Sequence, residues 1–228
     1  MKINNLCLSF DGVKIFDSFS LEVQPNSICC IAGPSGCGKT TLLNCIAGLQ
    51  TYDGGTIEKE SNVSYVFQTP RLLPNLSVRE NITVVPSCDV SLADKYIQVA
   101  DLAGIADKKA SCLSGGEAQR VSLIRAFSCK RDIVLMDEPF QSLDVGMANR
   151  LMSLFLELWE QNKKTVLWVT HDITELCLAA DKAVAVSAKP MKILMETDIS
   201  IPREKRNPEN TKHIFNEVYS CLTAKTRV

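Results

Sequence analysis

The chain has 228 residues, with 25 Lys and Arg against 26 Asp and Glu, 46% apolar and 22% charged residues. That length suits one compact domain with room for a subdomain, and the apolar share excludes a disordered chain. A formal charge of −1 leaves no electrostatic footprint for nucleic acid. The longest apolar runs, such as Ile28 to Ala32 and Ile133 to Met136, are strand-sized and far short of the roughly 18 residues of a membrane-spanning helix. Met1 to Asn5 has neither the apolar core nor the cleavage site of a secretory signal, so the expectation is a cytoplasmic protein. The cysteines at 7, 29, 30, 37, 45, 88, 112, 129, 177 and 221 form no C-x-x-C pair and sit mostly in apolar stretches. They read as small core hydrophobes in a reducing compartment, not as zinc ligands, and His171 and His213 lie far from any cysteine cluster.

Residues 3–9 and 15–23 are β-rich and flank Asp11-Gly12, a dipeptide suited to the positive φ of a tight hairpin. Pro25-Asn26 marks a second turn. Ile28 to Ala32 is then a fully apolar strand, followed by a glycine-rich loop and a helix over Thr40 to Ala47 that Gly48 can terminate. Val63 to Phe67, Ile133 to Met136 and Thr165 to Val169 read as further strands. Ser91 to Leu102 and Glu117 to Phe127 read as helices, and Leu151, Leu154, Phe155 and Leu158 recur on one helix face. Ala183 to Val186 and Lys192 to Ile199 add two late strands. Such alternation predicts an α/β domain on a largely parallel sheet, with residues 70–130 as a helix-rich insertion. The tail over 203–212, with four basic and two acidic residues, reads as a solvated surface segment rather than a phospholipid contact.

Gly33-Pro34-Ser35-Gly36-Cys37-Gly38-Lys39-Thr40 matches G-x-x-x-x-G-K-[ST] and lies between a predicted strand and a predicted helix, the context a phosphate loop demands. The glycines let successive N–H groups point at phosphate oxygens, and the helix N-terminus adds partial positive charge. Lys39 would reach the β- and γ-phosphates, and the Thr40 hydroxyl would ligate Mg²⁺. Asp137-Glu138 closes an apolar strand. That pair suits a metal-linked acid, Asp137, followed by a base, Glu138, that orients the attacking water, although paired acids also commonly cap a turn.

Gly33, Gln68, Asp137 and His171 each fall just beyond a predicted strand, where ligand sites gather in open parallel sheets. Gln68 could reach Mg²⁺ or the attacking water, and His171 a γ-phosphate oxygen; the alternatives are a surface glutamine and a structural histidine. Ser114-Gly115-Gly116-Glu117 is a capping box that doubles as a second phosphate-binding helix start or serves as an ordinary N-cap.

Leu113 to Arg120, LSGGEAQR, completes a set of motifs in one order, and the whole chain resembles the ATP-binding subunit of an ABC transporter. Gly33 to Thr40 resembles that family's phosphate loop, Gln68 its Q-loop, Leu113 to Arg120 its signature, Ile133 to Glu138 its Walker B strand, Ser142-Leu143-Asp144 its D-loop and His171 its switch histidine. Phe10 stands in the position of the adenine-stacking aromatic, where tyrosine is usual. The resemblance implies a P-loop ATPase core with a mainly parallel sheet, an N-terminal antiparallel β subdomain and a helical subdomain at about 70–129, between core segments at about 1–69 and 130–228. It implies ATP and Mg²⁺ as cofactors. Glu138, His171, Gln68 and Lys39 would be catalytic; Phe10, the loop from Gly33 to Thr40, Thr41, Ser114, Gly115, Gly116 and Asp144 would hold nucleotide; Thr40, Gln68 and Asp137 would face the metal. Two subunits would close head to tail, with Ser114 and Gly116 of one on the γ-phosphate held by Lys39 of the other.

Val169 to Glu175, Ser187-Ala188-Lys189-Pro190 and Ile201-Pro202-Arg203 look like ATPases of nitrate, sulfonate, taurine and pyrimidine-precursor importers. That subgroup implies a peripheral protein at the cytoplasmic face of the membrane, integral permease subunits docking near Gln68 to Leu76, and an extracytoplasmic solute-binding protein. Leu72, Leu73 and Leu76 would form the exposed docking patch, or else pack the base of the helical insertion. An exporter ATPase shares these motor residues. A soluble relative acting on nucleic acid or ribosomes is opposed by the charge balance and by the chain's length.

Overall fold

The computed structural model describes residues 1–141 and 143–224, in two compact units: Met1–Asn62 together with the chain from Thr165 onward, and Val63–Lys164.

In the first unit, strands β1 (Lys2–Phe10), β2 (Val13–Glu22) and β4 (Gly54–Glu58) form an antiparallel sheet in the order β2-β1-β4. Phe10 pairs with Val13 across a two-residue turn in which Asp11 and Gly12 have φ of 48° and 80°. These are the positive values that make Asp-Gly a hairpin signal. A second sheet segment centres on β3 (Ile28–Ala32), whose five residues are all buried. It runs parallel to β7 (Thr165–Thr170) on one side and β8 (Lys182–Val186) on the other, and β9 (Ile193–Asp198) closes antiparallel on β8. Helix α1 (Lys39–Ala47) follows β3 and ends at Gly48, φ 74°, whose N–H bonds back to Cys45 O. Helices α6 (Ile173–Ala179) and α7 (Lys212–Thr223) complete the unit.

The tail is not the solvated segment its charge pattern suggested. Arg206 is half-buried and donates to the carbonyls of Leu178, Ala180, Ile199 and Ile201, at 3.3, 2.6, 3.2 and 2.8 Å. Arg203 donates to Ala179 O at 2.8 Å and pairs with Asp181. Two guanidinium groups thus satisfy the carbonyls left open at the end of α6, where cations are also favoured by the helix dipole. Beyond them α7 buries Ile214 and Val218.

In the second unit, β5 (Val63–Val66) and β6 (Ile133–Asp137) pair in parallel, Val63 opposite Ile133 and Val66 opposite Met136. Around them lie α2 (Val78–Thr83), α3 (Val90–Val99), α4 (Gly115–Phe127) and α5 (Val145–Gln161). The periodic face of α5 is buried at Leu151, Leu154, Phe155 and Leu158, and the Phe155 ring meets Phe127 of α4 edge-on at 6.0 Å. Helices α2 and α4 each begin with a complete capping box, Ser77/Glu80 and Ser114/Glu117. Lys164 is buried, and its ammonium donates to the carbonyls of Cys129 and Arg131 at 2.5 and 2.7 Å. Burial holds its pKa below the usual lysine value.

Six of the ten cysteines are buried; Cys112 is exposed, and Cys7, Cys88 and Cys221 are half-buried. Among the described residues no helix is long and apolar enough to cross a membrane.

Candidate nucleotide site

The glycine-rich loop leaves β3 at Gly33 and enters α1 at Lys39. A Cβ on Gly33 would stand 2.5 Å from Val186 Cγ2, and one on Gly38 2.8 Å from Ile15 Cγ2, with Gly38 at φ 117°. The loop therefore lies close against β8 and β2, and only glycine fits at either point. Gly36 is also left-handed, at φ 75°, with open space around it. Lys39 is buried, its ammonium donating to the carbonyls of Gly33 and Pro34 at 2.8 and 3.2 Å. The loop thus curls around its own lysine. Pro34, Ser35 and Gly36 are exposed, Cys37 and Gly38 buried, Thr40 exposed and Thr41 half-buried. A row of backbone amides at a helix N-terminus, with a lysine at its centre, is chemistry suited to a polyphosphate anion.

In the same unit Phe10 is 41% exposed beside the hairpin turn, an aromatic face open to a flat partner. Ala32 of β3 stands in register with Thr170 of β7, so Gly33 and His171 leave neighbouring strand ends. His171 is exposed in a turn fixed on both sides. Thr170 Oγ1 accepts from the Asp172 N–H at 3.0 Å and donates to Glu175 at 2.8 Å, while Asp172 caps α6 through the N–H groups of Thr174 and Glu175.

The second unit carries the acidic residues. Val66 stands opposite Met136, so Gln68 and Asp137 lie just past adjacent parallel strand ends. Asp137 is 4% exposed, and its Oδ2 lies 3.4 Å from the hydroxyl of Tyr65. Burial, then the Asp137 charge, pushes the Tyr65 phenol well above its ordinary pKa, so it remains a donor. Glu138 has φ 43°, a left-handed conformation that costs a non-glycine residue about 1–3 kcal/mol and is concentrated at functional sites. Gln68 is exposed and its amide bonds to Gln141.

Ser114 is exposed at the N-terminus of α4; its N–H donates to Glu117 at 2.7 Å, and its Oγ accepts from the Glu117 N–H at 3.3 Å. Gly115 faces open space, whereas a Cβ on Gly116 would stand 2.6 Å from Met147 Cε. Asp144 caps α5 through the Met147 N–H at 3.0 Å. The D-loop residue Ser142 lies outside the described residues.

The geometry thus groups Lys39, Thr40 and His171 in one unit and Gln68, Asp137 and Glu138 in the other. Sequence reasoning missed Tyr65, Gln141, and the Thr170, Asp172 and Glu175 clamp. Tyr65 was within reach: if β5 is parallel to β6, Tyr65 faces Leu135, two residues before Asp137 on the same side of the strand.

A buried strand, a glycine-rich loop wrapped on its lysine and a helix, followed later by an acid-ended strand, define a P-loop nucleotide-binding protein. The chain belongs to the ABC transporter family, whose family model matches residues 16–141, and it is an ATPase of that family. An uncharacterized ABC transporter ATP-binding protein of Methanocaldococcus jannaschii is 36% identical over 230 residues, covering 92% of this chain and 86% of that protein. An aliphatic sulfonates import ATP-binding protein of Bacillus cereus is 36% identical over 224 residues, covering 90% and 87%. Among solved structures, a dimeric bacterial ABC transporter cassette superposes with a TM-score of 0.72 at 26% identity, covering 86% of this chain and 97% of that one. The ADP conformation of an ATP-binding cassette gives 0.76 at 24%, covering 96% and 97%.

Proposed function

We propose that the chain is the ATP-hydrolysing subunit of an ABC importer for a small solute of the nitrate, sulfonate, taurine or pyrimidine-precursor type. The observation that carries this reading is the run of relatives from Bacillus and Pseudomonas species named for aliphatic sulfonate import, 34–36% identical over most of the chain.

In this reading the phosphate loop and Lys39 hold the β- and γ-phosphates, and Phe10 stacks on adenine. Glu138 orients and deprotonates the attacking water, with Gln68 and His171 beside the γ-phosphate. Thr40, Asp137 and Gln68 offer hydroxyl, carboxylate and amide oxygens, the hard donor set that Mg²⁺ prefers. The ion would neutralise charge building on the β- and γ-oxygens. The likeness to a dimeric cassette supports assembly as a dimer in which Ser114, Gly115, Gly116 and Asp144 face the nucleotide of the second copy. Closure of two such subunits excludes water, and reopening after hydrolysis moves the attached partner.

The working complex would hold two ATP-binding subunits, integral permease subunits docked near Gln68 to Leu76, and an extracytoplasmic solute-binding protein. The ATPase would sit peripherally on the cytoplasmic face of the membrane. In the docking segment Leu73 is 48% exposed, whereas Leu72 and Leu76 are half-buried, so Leu73 is the apolar contact such a permease helix would meet.

Affinity purification of the tagged chain from its own membranes in mild detergent tests the assembly. Co-purification of a permease with a linked solute-binding protein is expected; recovery of an exporter partner, ribosomes or repair proteins instead contradicts the importer reading.

A further inference from the structure

Cys88, in the turn between α2 and α3, and Cys129, just past the end of α4, stand opposite each other in an isolated antiparallel bridge. The flanking hydrogen bonds define the type of pair. The Asp89 N–H donates to Ser128 O at 2.8 Å, and the Lys130 N–H donates to Ser87 O at 2.9 Å. With those bonds one residue outside the pair on each side, Cys88 and Cys129 form a non-hydrogen-bonded pair, in which Cα atoms lie about 4.5 Å apart and both side chains project to one face. That spacing falls inside the roughly 4.4–6.8 Å span of disulfides. Neither cysteine is in a disulfide in this structure, and the Cys129 thiol donates to Arg125 O at 3.1 Å.

Access is graded. Cys129 is 3% exposed, while Cys88 is half-buried and reachable first. A cavity of about 430 Å³ opens beside them, lined among others by Asp89, Cys129, Lys130, Arg131, Asp132 and Lys164. Lys130 lies 4.0 Å from Asp89, and Lys164 is turned to the carbonyls of Cys129 and Arg131, so the cavity offers room for a small visitor without a strong charge preference. Burial, then Cys129 and Asp89, push the Cys88 thiol up, so closure rests on the facing placement and not on an acidic thiol.

We propose that Cys88 and Cys129 are a reversible dithiol–disulfide pair, oxidised by a low-molecular-weight disulfide, that staples the end of α4 to the α2–α3 turn. The Cys88 thiolate attacks one sulfur of the small disulfide, forming a mixed disulfide and releasing one thiol. Cys129 then attacks the Cys88 sulfur, forming the intramolecular bond and releasing the second thiol. The two cysteine protons leave on the two released thiols; the protein loses two electrons and the small disulfide gains them. The staple ties down the helix whose other end carries Ser114, and it constrains the unfolded chain.

The test uses the full chain with oxidised glutathione as the probe, followed by alkylation of remaining thiols, proteolysis and mass spectrometry. The expected result is a peptide joining Cys88 to Cys129, released by dithiothreitol, and a thermal midpoint raised by several degrees in the oxidised protein. Cys88→Ala removes both the cross-link and the shift while leaving the reduced protein's midpoint close to that of the parent. Cys129→Ala halts Cys88 at the glutathione mixed disulfide. The proposal is overturned if the natively folded chain yields both cysteines alkylated, or Cys88 stalled on glutathione, or if the cross-link forms only in urea.

Discussion

The hydroxyl of Tyr65 lies 3.4 Å from Oδ2 of Asp137, although 72 residues separate them in sequence. The parallel pairing of β5 and β6 brings them together, and it gives the buried acid at the end of β6 a partner that stays protonated. Tyr65→Phe keeps the ring and its stacking on Phe67, 4.0 Å between centroids, and deletes only this donor. Partners of a metal-ligating carboxylate typically contribute 10–100-fold to metal affinity. The variant should therefore need about 10-fold more Mg²⁺ for half-maximal ATPase activity. Activity titrated against free Mg²⁺ at fixed ATP measures this; an unchanged midpoint would separate Tyr65 from the metal.

Lys39 is held by two carbonyls of its own loop, at 2.8 and 3.2 Å, at the N-terminus of α1. Lys39→Met keeps the aliphatic stem and loses the charge. Turnover should fall on the order of 10²-fold or more, with ATP affinity weakened and the thermal midpoint little changed. Phosphate release and a nucleotide-binding isotherm test both parts, and near-normal turnover would remove Lys39 from the site.

Asn81 is fully buried, and its side chain is hydrogen-bonded to the loop ahead of α2 through both its oxygen and its nitrogen. It accepts from the Leu73 N–H at 2.7 Å, and its two amide N–H groups are shared among the carbonyls of Leu73, Leu76 and Ser77. Asn81→Ala leaves the Leu73 N–H unpaired, while the three carbonyls keep the backbone N–H groups of Leu76, Ala110 and residue 81, so the cost should be about 1–3 kcal/mol. Urea unfolding should show that loss, and permease co-purification should fall, while ATP binding by the chain persists. Retained stability would mean that water replaces the amide.

Glu117 caps α4 through Ser114, and those hydrogen bonds, with Lys108 at 3.4 Å, hold its carboxyl below the ordinary value of 4.5. A lowered folded-state value means the charge contributes stability above the ordinary carboxylate range, and that contribution drains away as pH falls through the lower value. Glu117→Gln can still form a capping box. The stability gap between parent and variant should therefore be present at neutral pH and close in acid. Urea midpoints of the two proteins across pH 3 to 7 (about the range in which a carboxylate titrates) measure it; a gap independent of pH would contradict the charge argument.

The phosphate loop was legible because glycine, lysine and strand-then-helix context leave few other readings, and the hairpin because Asp11-Gly12 suits two positive φ angles. The capping box at Ser114 was legible for the same local reason. What escaped was non-local or short. Strand β4 is glycine-rich and mostly exposed, and pairing with β1 alone makes it a strand. The six residues of α2 are too few to show a helical period. Arg203 and Arg206 read as solvated charge because nothing in their neighbourhood says that the carbonyls at the end of α6 lie beside them. Leu72 and Leu76 looked as exposed as Leu73 for a related reason, since burial is decided by distant elements.

Glu138 follows a buried strand, sits in a left-handed conformation at φ 43°, and is proposed as the base. Glu138→Gln keeps the shape and removes the proton acceptor. ATP turnover and sedimentation of the variant, measured together with Mg²⁺ and ATP, test that role most directly. Turnover should fall by about 10²-fold or more, with a stable ATP-bound dimer where the parent cycles back to monomer. Full turnover, or failure to dimerise with ATP, would contradict that role.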